Sequence, residues 1–85
     1  MELGEIFQNF LGTGCKDSKG REIGYVVGLR DDGTTFYAWV QNTRRVNGEW
    51  QEFGAAQRSK SFSTQQAANV WAYTTAKQRI AKVKA

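Results

Sequence analysis

An Asn-Gly pair between two runs of strand-forming residues constrains this chain more than any other feature of its sequence. Asn47-Gly48 separates a run that begins at Thr34 from a run that ends at Gly54. The pair favours a two-residue type I′ turn, because both central positions of that turn need a positive φ. It therefore predicts a hairpin in which Arg45 faces Trp50.

A second pair, Asp32-Gly33, predicts that the preceding run from Arg21 to Arg30 joins the same sheet. A two-residue loop would place Leu29 opposite Phe36. Side chains alternate along a strand, so the two predicted turns divide the strands into two faces. One face carries Tyr37, Trp39, Gln41, Thr43, Arg45, Trp50 and Glu52, and the other carries Phe36, Ala38, Val40, Asn42, Arg44 and Phe53.

Two glycines fall on the first of these faces. The predicted register sets Gly28 opposite Tyr37 and Gly24 opposite Gln41. A glycine has no side chain to hold a neighbouring ring away. Flat aromatic rings are therefore expected to lie over bare backbone on this face.

The segment 1–11 shows the spacing of an amphipathic helix, with apolar residues at Leu3, Ile6, Phe7, Phe10 and Leu11. A helix this short must dock on something. We expect it to cover the sheet face at Val26 and Trp39, and the alternative is a contact with a partner or a second copy. Residues 12–20, rich in Gly and Lys, are predicted to form a flexible loop.

The C-terminal part predicts one long helix after a connecting loop at 55–60. Ser63 as N-cap and Gln66 three residues later match a capping box, and Phe62 with Ala67 matches a hydrophobic staple. The helix is expected over 63–83, with its first turns packed through Ala67, Val70 and Trp71.

Together these elements predict an α+β fold in a single small domain spanning 1–85. The expected architecture is a three-stranded antiparallel meander over 21–54, packed against a C-terminal α-helix, with a short N-terminal helix. The one cysteine, Cys15, cannot form an internal disulfide, and the chain shows no signal peptide and no apolar run of membrane-spanning length. These features predict a cytoplasmic protein that does not enter a membrane.

The sequence disfavours catalysis and metal binding. It contains no histidine and a single cysteine, so a nucleophilic triad is unavailable. None of its acidic residues forms a pair placed for acid–base or two-metal chemistry. We expect no catalytic residue, no metal and no cofactor.

The charge is concentrated in one part of the chain. The net charge is +4, and every charged residue after Glu52 is basic. A cationic lobe indicates a polyanionic partner. The other interpretation is solubility, with cations near the helix C-terminus where the macrodipole favours them.

The pattern Phe62-x-Thr64-x-x-x-Ala68-x-x-Trp71 after a hairpin-rich sheet resembles the N-terminal arm-type DNA-binding domains of phage and transposon tyrosine integrases. The hybrid-binding domain of ribonucleases H has a similar layout. The resemblance covers about residues 23 to 76. It implies that nucleic acid binds on the sheet face opposite the helix, in an accessory or regulatory factor of phage or bacterial origin.

DNA or RNA is thus the first predicted partner. Aromatic rings would stack on bases, and arginines and an amide would contact phosphates or base edges. The candidate binding residues are Arg30, Tyr37, Trp39, Gln41, Arg44, Arg45, Trp50, Arg58 and Lys60. The second hypothesis is a protein-interaction or self-associating module, such as a homodimer, that uses the aromatic face and the N-terminal segment.

Overall fold

Four antiparallel strands and one helix form the described part of the protein. The computed structural model describes residues 4–84. The strands follow one another in the sheet as a meander of order β1-β2-β3-β4. Their bounds are β1 Gly4–Lys16, β2 Glu22–Asp31, β3 Phe36–Val46 and β4 Glu49–Arg58, followed by α1 Gln65–Lys84. The predicted α+β class is confirmed, but the sheet has four strands instead of three.

The prediction of an N-terminal helix is wrong. From Gly4 onwards the segment is strand β1, which pairs with β2 so that Phe7 lies opposite Leu29 and Leu11 opposite Tyr25. Phe7 and Leu11 are four residues apart, and this spacing places them on one side of a strand as well as on one face of a helix. The open edge of β2 offers this segment backbone hydrogen bonds within a sheet, whereas a short isolated helix is only marginally stable in water.

The predicted loop at 12–20 is correspondingly shorter, because β1 continues to Lys16. Residues 17–21 form the turn between β1 and β2. The carboxylate of Asp17 closes this turn by accepting hydrogen bonds from the backbone N–H groups of Lys19 and Arg21, both at 2.9 Å. Leu3, the first residue of the predicted helical stripe, lies outside the described residues.

The loop between β2 and β3 has four residues, 32–35, and not the predicted two. The Asp32 carboxylate accepts hydrogen bonds from the backbone N–H of Thr35 at 3.1 Å and from its hydroxyl at 2.6 Å. Leu29 consequently lies opposite Ala38 instead of Phe36. The register differs from the prediction by two residues, an even number, so every side chain stays on the face predicted for it.

The β3–β4 hairpin has the predicted turn and the predicted register. Asn47 has a φ of 53° and Gly48 a φ of 81°, and Arg45 lies opposite Trp50. The strand β4 then continues through a bulge at Gly54, whose φ is 73°, as far as Arg58. The predicted loop at 55–60 therefore begins only after Arg58.

The helix α1 packs on the sheet through small side chains. Its N-cap is Thr64, whose hydroxyl oxygen accepts a hydrogen bond from the backbone N–H of Ala67 at 3.2 Å, and not the predicted Ser63. Ala68, Ala72 and Ala76 are fully buried. Val70, which was predicted to pack, has 57% of its surface exposed. The alanine stripe lets the helix approach the strands closely.

The hydrophobic core lies between α1 and one side of the sheet. The strand residues of this core are Tyr25, Val27, Leu29, Ala38 and Val40, and Phe7, Leu11 and Phe36 pack at its margin. Among residues 4–84, no second element covers the other side of the sheet. The expected cover by residues 1–11 is not found in the described part of this segment, where residues 4–11 belong to the additional strand β1. No helix in the described part of the chain is long and apolar enough to cross a membrane.

Candidate functional site

The candidate site is the side of the sheet that faces away from α1, which we call the open face. Gln8 of β1 donates a hydrogen bond through Nε2 to Oε1 of Glu52 of β4 at 3.0 Å. These residues belong to the two edge strands, which would lie about 14 Å apart in a flat sheet with a strand spacing of about 4.8 Å. Their contact shows that the sheet curls and that the open face is concave.

Two tryptophans lie over glycines on the open face. Gly28 is the cross-strand partner of Trp39, and a Cβ added to Gly28 would overlap the Trp39 indole. Trp50 reaches from β4 across the sheet, because a Cβ added to Gly24 would come within 2.7 Å of its ring. Rings over bare backbone were predicted for this face, although the two-residue register change gives Gly28 a different partner.

These rings and their neighbours seal the backbone of the open face without help from a second layer. Val26 is 0% exposed although its side chain points away from α1. Thr43 is also fully buried, and its hydroxyl oxygen has no hydrogen-bond partner among the described residues. The inner layer of the face is therefore inaccessible to solvent, and the outer surfaces of the rings remain for a ligand.

Arginines stack on two aromatic rings of the face, Tyr37 and Trp50. The guanidinium carbon of Arg58 lies 3.7 Å from the centre of the Tyr37 ring, and that of Arg45 lies 5.0 Å from the centre of the Trp50 ring. Tyr37 is only 8% exposed. The surface offered to a ligand at this position is the planar guanidinium of Arg58, supported by the tyrosine beneath it.

The open face carries acidic as well as basic groups. Arg30 lies 3.9 Å from a carboxylate oxygen of Glu5, and Arg45 lies 3.6 Å from one of Glu22. These ion pairs are partly exposed to water, and pairs of this kind contribute about 0–1 kcal/mol to stability. A phosphate could therefore replace either carboxylate at little loss of stability.

A concave pocket of about 290 Å³ lies in the open face. It brings together five of the predicted binding residues: Arg30, Tyr37, Trp39, Gln41 and Arg58. Two further lining residues, Glu52 and Ala56, were not among the predicted binding residues. The sequence placed Glu52 on this face, but a lone carboxylate in a basic protein gave no signal of binding. Ala56 and Arg58 reach the face because β4 continues past the Gly54 bulge, and a glycine within a strand is the available signal for a bulge.

The other four predicted residues lie outside the pocket. Arg45 and Trp50 occupy the hairpin end of the open face, over Gly24. Arg44 points to the helix side of the sheet, where its guanidinium lies 4.9 Å from the centre of the Phe53 ring. Lys60 follows β4 in the connecting loop, with its ammonium 5.5 Å from the centre of the Phe62 ring.

The resolved pKa shifts belong to turn carboxylates. The backbone N–H of Arg21 is the main group that lowers the pKa of Asp17, and the Thr35 hydroxyl is the main one that lowers the pKa of Asp32, with a smaller contribution from Arg58. Both carboxylates accept hydrogen bonds that stabilise loops, Asp17 in the β1–β2 turn and Asp32 in the β2–β3 loop. Within residues 4–84, no three His, Cys, Asp or Glu side chains gather into a cluster that could hold a metal ion.

The pocket thus joins stacking surfaces, two arginines and a carboxylate in one concavity of the sheet. The residues that form it come from β2, β3 and β4, and one of its two aromatic members, Trp39, lies over Gly28 of the neighbouring strand. What the pocket binds must be inferred from these side chains. No protein-family model, curated protein or solved structure significantly matches the chain.

Proposed function

We propose that the protein is a small nucleic-acid-binding module that takes up an unpaired nucleotide on its open face. The observation that carries this proposal is the arrangement of the pocket, in which the indole of Trp39 and the stacked guanidinium of Arg58 border the same concavity. Planar surfaces of this kind stack on bases and contribute about 1–3 kcal/mol per base. Arg30 adds a second cation for the adjoining phosphate.

An unpaired strand fits this face better than a duplex. The face is concave, and carboxylates of Glu5 and Glu22 are interspersed with its arginines. Duplex binding draws on an extended row of uncompensated charges along the phosphate backbone. A pocket with aromatic and guanidinium surfaces favours a base that has left its stack.

Tryptophan fluorescence tests the proposal directly, because two of the three tryptophans lie on the open face. Titration with a single-stranded oligonucleotide should quench the emission and saturate, whereas the matching duplex should bind more weakly. With two phosphate contacts, the affinity should fall with salt at a slope of about −1.4 in log units for a single strand.

The matched variants for this titration are Arg58→Ala and Lys77→Ala. Each removes one positive charge, but Arg58 borders the pocket and Lys77 is exposed on the helix. We expect Arg58→Ala to weaken single-strand binding about tenfold or more and Lys77→Ala to leave it within about twofold. Equal effects of the two variants would show that only the total charge matters, and would contradict the assignment to the open face.

A second candidate function is contact with a protein, favoured by the outer strand β1. Phe10 and Ile6 of this edge strand are 42% and 39% exposed, and open strand edges pair readily with other chains. If this function holds, sedimentation should show an assembly that Phe10→Lys disrupts, and nucleic acid should not change the fluorescence.

A further inference from the structure

The polar groups at one end of the pocket are acceptors, and this restricts which base the pocket can hold. Glu52 is an exposed carboxylate, and an ionised carboxylate only accepts hydrogen bonds. Its Oε1 accepts the hydrogen bond from Gln8 at 3.0 Å, which draws the carboxylate over the concave face and leaves Oε2 for a ligand.

The Gln41 side chain is also oriented so that it can accept a hydrogen bond. Its Nε2 donates a hydrogen bond to the backbone carbonyl of Gly54 at 2.7 Å. The amide oxygen is therefore left to accept a hydrogen bond from a ligand, and Gln41 lines the same pocket as Glu52. The bulge at Gly54 provides the carbonyl that holds Gln41 in this orientation.

The cations lie towards the opposite end of the pocket. Glu52 pairs with Thr43, whereas Arg58 pairs with Trp39, four residues further back along β3. At about 3.3 Å per residue, the backbone positions at these two levels are about 13 Å apart. The Glu52 side chain leans from its level towards the row of Trp39, because its partner Gln8 pairs with Gly28 in that row. A ligand in the pocket would therefore meet the acceptors on the side of Thr43 and the cations on the side of Tyr37, with the Trp39 ring next to the cations.

The four bases differ in what they present to such acceptors. The Watson–Crick edge of guanine carries two adjacent N–H donors, N1–H and the N2 amino group, which match the two oxygens of a carboxylate or a carboxylate with an amide oxygen. Adenine and cytosine each place one ring nitrogen acceptor beside the amino group, and uracil or thymine flanks one N–H with two carbonyl oxygens. An acceptor facing the Glu52 oxygen would be repelled and left without a partner.

Building on the proposed function, we propose that this pocket selects an unpaired guanine nucleotide. Oε2 of Glu52 and the amide oxygen of Gln41 accept hydrogen bonds from the guanine edge, Trp39 stacks on the base, and Arg58 with Arg30 receives the phosphate. The carboxylate adds selectivity in a second way, because its negative charge weakens the attraction of any strand that does not supply N–H donors.

The test uses oligothymidine and oligouridine that carry a single central guanine, adenine, cytosine or inosine. One guanine avoids the self-association of guanine runs, and the two backbones distinguish DNA from RNA. We expect the guanine-containing strand to bind at least about tenfold more tightly than the adenine- or cytosine-containing strand, as a bidentate contact to a base edge provides. Inosine, which lacks the N2 amino group, should fall between them.

The variant for this test is Glu52→Gln, which keeps the shape of the side chain and removes the charge. It should abolish the preference for guanine and should bind the adenine strand at least as well as the original protein does. Glu49→Gln, at the exposed tip of the β3–β4 hairpin, removes the same charge outside the pocket and should preserve the preference. Circular dichroism of both variants checks that the fold is kept.

Two outcomes would overturn the inference, and they separate it from the proposed function. Equal binding of all single strands, with Glu52→Gln strengthening each of them alike, would overturn guanine selection and leave single-strand binding in place. The absence of binding to every strand at low salt would overturn the proposed function and the inference together.

Discussion

Trp39 and Gly28 face each other across strands β3 and β2, and the indole occupies the space that any side chain at Gly28 would need. The ring lies on backbone instead of on a neighbouring side chain. This pair fixes the floor of the pocket, because Trp39 also lines it. The relationship makes Gly28 a determinant of the open face, although it has no side chain to contact a ligand.

Gly28→Ala should therefore destabilise the protein and disturb the pocket. The added methyl group must displace the Trp39 ring, and overpacking of this kind costs about 1–3 kcal/mol. Urea unfolding measures the loss, and Gly4→Ala is the matched control because a Cβ at Gly4 meets no atom within 4 Å. An equal loss in the two variants would mean that strand propensity, and not the Trp39 contact, explains the effect.

Thr64→Ala should weaken the start of α1. The variant removes the hydroxyl oxygen that accepts the hydrogen bond from the Ala67 N–H. Loss of an N-cap costs about 0.5–2 kcal/mol, which thermal or urea unfolding resolves. Ser63→Ala serves as the control and should change the unfolding free energy by less than about 0.5 kcal/mol. A larger loss of unfolding free energy in Ser63→Ala than in Thr64→Ala would show that Ser63 is the N-cap.

Ala72→Leu should destabilise the packing of α1 on the sheet. Ala72 is fully buried in the middle of the alanine stripe, and a larger side chain there must push the helix outwards at a cost of about 1–3 kcal/mol. Ala81→Leu makes the same change at an exposed helix position and should alter the unfolding free energy little. A similar small effect at both positions would show that the helix does not lie close to the strands.

Asp17→Asn should lower the thermal stability at neutral pH but not in strong acid. Hydrogen bonds from the backbone and side chain of Arg21 lower the pKa of Asp17 in the folded protein. Its contribution to stability is therefore present above the unfolded value of about 3.9 and is lost as the pH falls through the folded pKa.

Melting temperatures of the original protein and the Asp17→Asn variant between pH 7 and pH 2 check this prediction. Their difference should be largest at neutral pH and should close as the carboxylate protonates. Glu49→Gln controls for the change in net charge. A difference that is independent of pH would assign the effect to side-chain shape and not to the ionised carboxylate.

The sequence carried enough information for both turn positions, the side-chain faces and the long helix. Asn47-Gly48 determined its hairpin register because few residue pairs adopt two consecutive positive φ angles. The Asp32 loop was longer than predicted because its carboxylate bonds Thr35 and draws two more residues into the turn. The predicted side-chain faces remained correct because a shift of two residues preserves the alternation of side chains between the two faces.

The N-terminal strand could not be predicted from local spacing. Phe7 and Leu11 satisfy a helical and an extended pattern equally well, and the choice depends on the free edge of β2, which is a tertiary feature. The pocket could not be predicted from local spacing either. Nothing local in the sequence indicates that the sheet curls far enough for Gln8 of one edge to reach Glu52 of the other.

The bulge at Gly54 also determines which changes in chain length keep Arg58 on the open face. Between the pairs Asn42–Phe53 and Val40–Gln57, β4 has two residues more than β3. Deleting Gly54 and Ala55 together would leave a regular ladder in which Arg58 still lies opposite Trp39. Deleting either one alone would turn Arg58 to the helix side of the sheet wherever the ladder closes without a bulge. The two extra residues therefore leave Arg58 on the open face, and Gly54 adds the carbonyl that orients Gln41.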